Sequence, residues 1–161
     1  MRLFRPQPRI TLANPEDAVA LAELYRRTWS AYQGVLDGRM VSDNLPGADE
    51  TEAWLRGGFE VYTAVMDGRL AGAVRCSFPT GTCLLDRLAV DPGFRRRGVG
   101  KALAEHAISR ARRAGVTKVW LQTSPKLREA AALFRSLGFR ESGFLRAHYW
   151  GEDLTLMELP I

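Results

Sequence analysis

The segment Leu88-Ala89-Val90-Asp91-Pro92-Gly93-Phe94-Arg95-Arg96-Arg97-Gly98-Val99-Gly100-Lys101 constrains this chain more than any other. An apolar run of strand character enters it, a basic glycine turn follows, and the chain leaves directly into a helix. Three anion-binding features coincide there. Gly98 and Gly100 carry no side chain to obstruct a ligand, the amides of the first helical turn lack intrahelical acceptors, and the helix dipole adds partial positive charge. The segment predicts a site where backbone N–H groups hold a pyrophosphate. Two familiar phosphate motifs are excluded by residue. A Walker A loop needs glycine at position 95 and serine or threonine at 102, where Arg95 and Ala102 stand. The dinucleotide fingerprint needs glycine or alanine at 103, where Leu103 stands, and no acidic ribose partner lies near Trp120, about 20 residues on.

Around this turn the pattern reads as mixed α and β structure. Arg9 to Leu12 is strand-like, and a helix follows with Asn14 as its N-cap and Pro15 in its first turn. Ala18, Leu21, Tyr25, Trp29 and Tyr32 then recur at helical spacing. From Gly34 to Ala48 the pattern dissolves into a loop, and a second helix spans about Asp49 to Leu55. Glu60–Met66 and Leu70–Phe78 flank Asp67-Gly68, a type I′ hairpin signal, and Cys83–Val90 adds a third antiparallel strand. Beyond the glycine turn come a helix to Ala114 ended by Gly115, a strand at Thr117–Thr123, and a helix ending at Leu137-Gly138. Strands at Phe139–Tyr149 and Leu154–Leu159 close the chain around Gly151-Glu152-Asp153.

At 161 residues the chain is expected to form one domain, 1–161, around one core. Its N-terminus, Met1 to Ile10, is basic without an apolar export segment, and no run approaches the roughly 18 apolar residues of a membrane span, so a cytoplasmic protein without a membrane partner is expected. Cys76 and Cys83 read as a buried reduced pair rather than a disulfide or a metal site. A net charge of +5 fits nucleic acid, but fits equally an enzyme whose cofactor carries several phosphates. The tryptophans at 29, 54, 120 and 150 form no basic-aromatic stripe, and no nucleic-acid partner is expected.

Arg95-Arg96-Arg97-Gly98-Val99-Gly100 after Leu88-Ala89-Val90-Asp91-Pro92 resembles the acetyl-CoA signature of the GNAT superfamily of N-acetyltransferases, and Ala130 to Phe139, ending in Leu137-Gly138-Phe139, resembles its second motif. The specific part of the likeness is Asp86 to Phe139; outside it only the element order matches. The resemblance implies an α/β (α+β) fold with a central mixed, mostly antiparallel sheet of about six or seven strands, splayed after the fourth strand at Val90 and flanked by about four helices. It also implies acetyl-CoA as co-substrate without a metal, and transfer to a primary amine within a ternary complex. Leu88, Ala89 and Val90 would then meet the acetyl and pantetheine portion, and Arg95, Arg96, Arg97, Gly98, Val99, Gly100 and Lys101 would surround the pyrophosphate. Phe134 occupies the position where many relatives carry a tyrosine that protonates the departing thiolate.

Two departures from that pattern bear on catalysis. Phe134 has no proton to give, and the positions where relatives carry a catalytic glutamate hold Leu84 and Gln122. Asp86, two residues beyond Leu84 on the same strand face, is the nearest carboxylate to act directly or through water; pairing with an arginine is its structural alternative. Tyr149 and His148 fall in a stretch that lines the acceptor groove in similar proteins, so Tyr149 is the candidate proton donor, with packing as its alternative. A site without a strong base suits amines of low pKa, such as an α-amino group near 8, over a lysine near 10.4. The acceptor is therefore expected to be a protein N-terminus or a small-molecule amine. An acetyl-CoA-binding regulatory domain with decayed catalysis is the competing reading. The sequence leaves monomer and homodimer open.

Overall fold

The β2–β3 hairpin organises the sheet. In the computed structural model, which describes residues 6–161, β2 (Glu60–Met66) turns through Asp67 at φ 51° and Gly68 at φ 70° into β3 (Arg69–Ser77). Positive φ at both central positions is the type I′ geometry whose twist matches the flanking strands. Met1–Arg5, the start of the basic N-terminal stretch, lie outside the described residues. β1 (Arg9–Leu12) pairs antiparallel with β2, and β4 (Cys83–Val90) antiparallel with β3. β5 (Lys118–Thr123) lies parallel to β4, and β6 (Arg140–Tyr149) and β7 (Glu152–Pro160) complete a seven-stranded sheet of order β1-β2-β3-β4-β5-β7-β6.

The middle strands are covered on both faces, which is why β2 and β3 read as near-continuous apolar runs rather than alternating ones. On one face α4 (Val99–Ala114) buries Val99, Leu103, Ala104, Ala107, Ile108 and Ala111 against Tyr62, Ala64, Val74 and Cys76. The fully buried Leu103 side chain contributes roughly 1.5–3 kcal/mol. On the other face α1 (Ala18–Trp29) and α3 (Ala48–Arg56) bring Leu21, Leu24, Tyr25 and Trp54 onto Val61, Ala73 and Ala89. Gly72 makes the closest β3–α4 approach possible: a Cβ there would stand 2.8 Å from Ala89 O and 2.9 Å from Val99 Cγ1. α5 (Arg128–Ser136) packs Phe134 edge-to-face on Phe139, with centroids 5.4 Å apart.

Three expectations from sequence are refined. The 34–48 loop contains a short helix, α2 (Gly38–Asp43), which brings the helices among the described residues to five rather than four. Asp37 caps it by accepting Arg39 N at 2.9 Å, and Met40 and Val41 bury themselves against Leu36 and Leu154. The last turn falls on Trp150 (φ 51°) and Gly151 (φ 81°), so Glu152 and Asp153 belong to β7. Strands β4 and β5 part well before Val90, as described below. Asn14 does cap the chain's first turn, its side chain accepting Glu16 N at 2.9 Å, and Gly115 ends α4 at φ 72°. Cys76 and Cys83 are free and fully buried. Among the described residues no helix is long and apolar enough to cross a membrane.

Candidate active site

β4 and β5 are joined at only two positions, Cys83↔Val119 and Leu84↔Trp120. Beyond Leu84 they diverge, so one edge of β4 faces β5 across open space instead of across a ladder. Two cavities occupy the opening. One, of about 360 Å³, runs along Leu88, Ala89 and Val90 to the glycine turn; the other, of about 280 Å³, lies between β4, β5, α2 and the end of β6. Trp29, Leu88, Leu127 and Ala130 wall both and form the neck between them.

The larger space is lined by Arg95, Arg96, Gly98, Val99, Gly100 and Lys101. Arg96 (φ 60°) and Gly98 (φ 78°) adopt left-handed backbone, which wraps the turn around the start of α4. The first helical bond there runs from Ala102 N to Gly98 O at 3.0 Å. The amides of Gly98, Val99, Gly100 and Lys101 therefore have no backbone acceptor among the described residues and are available to an anion. A side chain on Gly100 would meet Leu133 Cδ2 at 3.2 Å, so glycine lets α4 and α5 close on the neck. Asp91 braces the turn from outside, accepting Gly93 N at 2.8 Å and pairing with Arg27 at 2.9 Å. Arg97 stands apart from the rest of the basic run. Its guanidinium pairs with Asp67 of the β2–β3 turn at 3.1 Å and does not line the cavity.

The smaller space brings together Leu84, Asp86, Gln122, Phe134 and Tyr149. Both Asp86 oxygens are held by Arg75, from Nε and Nη2 at 2.8 Å each. The Arg75 guanidinium in turn lies 4.5 Å from the Trp54 ring centroid. Tyr149 Oη donates to Asp43 Oδ2 at 3.1 Å, and the same oxygen accepts Trp150 Nε1 at 2.8 Å. Burial, then the Asp43 hydrogen bond and charge, push the Tyr149 phenol above its ordinary value, so it keeps its proton. His148 is exposed, and the buried Phe134 lines the smaller cavity with a ring that has no proton to give.

β4 bulges within this wall. Ala73 pairs with Ala89 and Arg75 with Asp86, leaving Arg87 and Leu88 opposite Val74, with Arg87 at φ 52°. Tyr25, fully buried, donates its hydroxyl to Arg87 O at 2.7 Å, and burial holds that phenol far above its ordinary value. α2 and its flanks are clasped from the opposite side. Glu152 accepts Asp37 N at 2.9 Å and pairs with Lys126 at 3.0 Å, while Lys126 Nζ also donates to Val35 O at 3.3 Å. Trp29, Asp43, Asn44, Arg75 and Arg87 were not legible as site residues in the sequence. An arginine on the strand that pairs with that of Asp86, as Arg75 is, was the signal the sequence offered among these.

A sheet that opens between its fourth and fifth strands, with a basic helix start at one end and a mixed cavity at the other, fits an enzyme that binds a phosphate-bearing acyl carrier, and the comparisons give the class. The model of the acetyltransferase (GNAT) family matches residues 18–139. Ribosomal protein bS18-alanine N-acetyltransferase of Escherichia coli K12 is 34% identical over 104 residues, covering 62% of this chain and 70% of that protein. Streptothricin acetyltransferase of Streptomyces lavendulae is 32% identical over 127 residues, covering 74% and 65%. The crystal structure of the PaiA N-acetyltransferase of Thermoplasma acidophilum in complex with coenzyme A superposes with a TM-score of 0.80 at 16% identity, over 97% of this chain and 100% of that one. This chain belongs to the acetyltransferase (GNAT) family and is an acetyl-CoA-dependent N-acetyltransferase.

Proposed function

We propose that this enzyme, folded as one domain, moves the acetyl group of acetyl-CoA directly onto an α-amino group or another primary amine of low pKa, in one ternary complex. The observation that carries this reading is the continuity of the two cavities through the Trp29–Leu88–Leu127–Ala130 neck, with a basic helix start on one side and a mixed polar and apolar space on the other. The free amides of Gly98 to Lys101, with Arg95, Arg96 and Lys101, suit the pyrophosphate, and the unpaired edge at Leu88, Ala89 and Val90 suits the pantetheine amides. Arg97 braces the turn through Asp67.

The amine nitrogen attacks the thioester carbonyl carbon, a C–N bond forms, and the C–S bond breaks as the tetrahedral intermediate collapses. The nitrogen loses one proton and the sulfur gains one. Tyr149, kept protonated, gives the proton that the departing sulfur gains, and water returns to its phenolate the proton the amine has lost. Asp86, with both oxygens engaged by Arg75, receives the amine proton through water rather than by displacing the guanidinium. Cys76 and Cys83 line neither cavity, which supports direct transfer over an acyl-cysteine route.

Likeness to the bS18-alanine enzyme favours a protein N-terminus, and likeness to the streptothricin enzyme a small amine. The test is release of CoA thiol from acetyl-CoA across pools of peptides with free N-termini, lysine peptides, polyamines, amino acids and aminoglycosides, with cofactor binding measured alongside. Acceleration by the N-terminal or amino-acid pools is expected. Acceleration by lysine peptides alone contradicts the low-pKa reading, and cofactor binding with no accelerating pool favours a regulatory domain.

A further inference from the structure

Arg87 has no counter-ion on the wall of the smaller cavity. It is half-buried, lines that space, and takes part in none of the ion pairs among the described residues. Its hydrogen bonds go only from Nη1, to Asn44 Oδ1 at 2.8 Å and Asp43 O at 3.1 Å, and both acceptors are neutral. Nε and Nη2 carry no hydrogen bond among the described residues. Two nearby carboxylates are committed elsewhere: Asp86 is bound by Arg75 through both oxygens, and Asp43 Oδ2 accepts Tyr149 and Trp150. A partly desolvated guanidinium without a counter-ion is unusual, because charges removed from water are normally paired.

The backbone shows how the charge is held there. The bulge re-aims the β4 side chains, and the left-handed Arg87 is fixed by the Tyr25 hydroxyl on its carbonyl. Beneath it, the Trp54 ring lies 5.1 Å from the Arg87 guanidinium and 4.5 Å from that of Arg75, an apolar floor that keeps both planar groups in place. The remaining N–H donors of a guanidinium form a fork suited to two carboxylate oxygens.

Accepting that the smaller cavity takes the acceptor, we infer that Arg87 is a carboxylate-binding residue that selects acceptors carrying an acidic group close to the reacting amine. Two sources share this chemistry: a free carboxylate on a small amino-acid-like acceptor, and an acidic side chain next to a peptide N-terminus. In either case the anion docks on Arg87 while the amine points through the neck toward the thioester.

The experiment compares matched acid and amide acceptors in the CoA-release assay: glycylglycine against glycylglycinamide, and blocked-C-terminus peptides opening Ala-Asp against Ala-Asn. The acid is expected to exceed its amide twin about 10- to 100-fold in kcat/KM, the range of one hydrogen bond to a charged group. The pair that shows the preference identifies the source. Arg87→Gln should bring the acid-to-amide ratio close to one, Arg87→Lys should retain part of it, and Arg112→Ala, on the exposed end of α4, should leave it intact. Equal treatment of acid and amide by the unmodified enzyme, or a ratio that survives Arg87→Gln in a variant that still binds acetyl-CoA, overturns the inference. Calorimetric binding of N-acetylglycylglycine against its amide separates this claim from the transfer reading. If no amine releases CoA but the acid product still binds tighter than the amide in an Arg87-dependent way, the anion site stands and the transfer reading fails. Equal binding in that case removes the anion site too.

Discussion

The hydroxyl of Tyr25, on the first long helix, donates a 2.7 Å hydrogen bond to the carbonyl of Arg87, at the bulge of the strand that walls both cavities. This one bond ties the helical layer to the strand whose distortion shapes the site. Tyr25→Phe leaves a buried carbonyl without its partner and should cost about 1–3 kcal/mol of stability. Chemical denaturation checks the loss. Because folding favours the protonated phenol, the contribution of Tyr25 is complete below about pH 10 and fades as pH rises above it.

Phe134→Tyr places a phenol on the wall of the smaller cavity, where the resemblance to relatives puts the departing sulfur within reach. Turnover should rise if protonation of the leaving thiolate limits the rate, by up to the 10²–10⁴-fold typical of a positioned acid. Unchanged or reduced turnover in a variant of unaltered thermal stability shows that thiolate departure is not limiting. A CoA-thiol steady-state assay is sufficient.

Gly98→Glu should weaken acetyl-CoA binding at least about tenfold, because it sets negative charge at the helix start and forces a side chain into left-handed backbone at φ 78°. Gly98→Asn is the control, since asparagine tolerates that conformation and adds no charge. Calorimetry on both, with Arg112→Ala alongside, separates the charge effect from backbone strain. Arg112→Ala should bind as the unmodified enzyme does.

Tyr149→Phe removes the phenol that donates to Asp43. If Tyr149 protonates on the acceptor side, kcat should fall by about 10²–10⁴-fold and the alkaline limb of the pH–rate profile should change. In the unmodified enzyme that limb should lie above the pH of about 10 where a free tyrosine titrates, because burial and Asp43 raise the phenol's pKa. A small drop in kcat with an unmoved limb assigns Tyr149 to packing.

Gly72→Ala drives a Cβ to within 2.8 Å of Ala89 O and 2.9 Å of Val99 Cγ1. Relief requires both the β4 backbone and α4 to shift away from β3, so a loss of about 1–3 kcal/mol is expected. Because α4 carries the helix start proposed to hold the pyrophosphate, weaker acetyl-CoA binding should accompany the lower melting temperature.

Much of the scaffold was legible because its signals are local. The Asp67-Gly68 turn, the strand at Cys83–Val90 and the Gly115 helix end depend on residues within a few positions of one another, and all appear where expected. α2 escaped notice because six residues containing glycine, serine and aspartate carry little intrinsic helical preference; its cap at Asp37 and the burial of Met40 and Val41 supply what propensity does not. The final turn escaped because Trp150, not a glycine, takes the first left-handed position. In the site, the glycine turn reads from sequence because its geometry is local backbone geometry. Arg75, Arg87, Asp43 and Trp29 acquire meaning only through partners tens of residues away, and no glycine or proline announces the bulge at Arg87.

The two residue pairs that join β4 to β5 give the molecule a seam. On one side lie β1 to β4, on the other β5, β7 and β6, and short hydrogen bonds supplement the ladder where the two strands meet, such as Trp120 Nε1 on Thr82 Oγ1 at 3.0 Å and Thr117 N on Gly81 O at 3.2 Å. These lie at the closed end, while across the opening the halves meet through side chains, Glu152 on Asp37 N and Tyr149 and Trp150 on Asp43. Mechanically the sheet itself is two plates riveted at a corner, and the angle between them is set by what spans the gap rather than by the ladder.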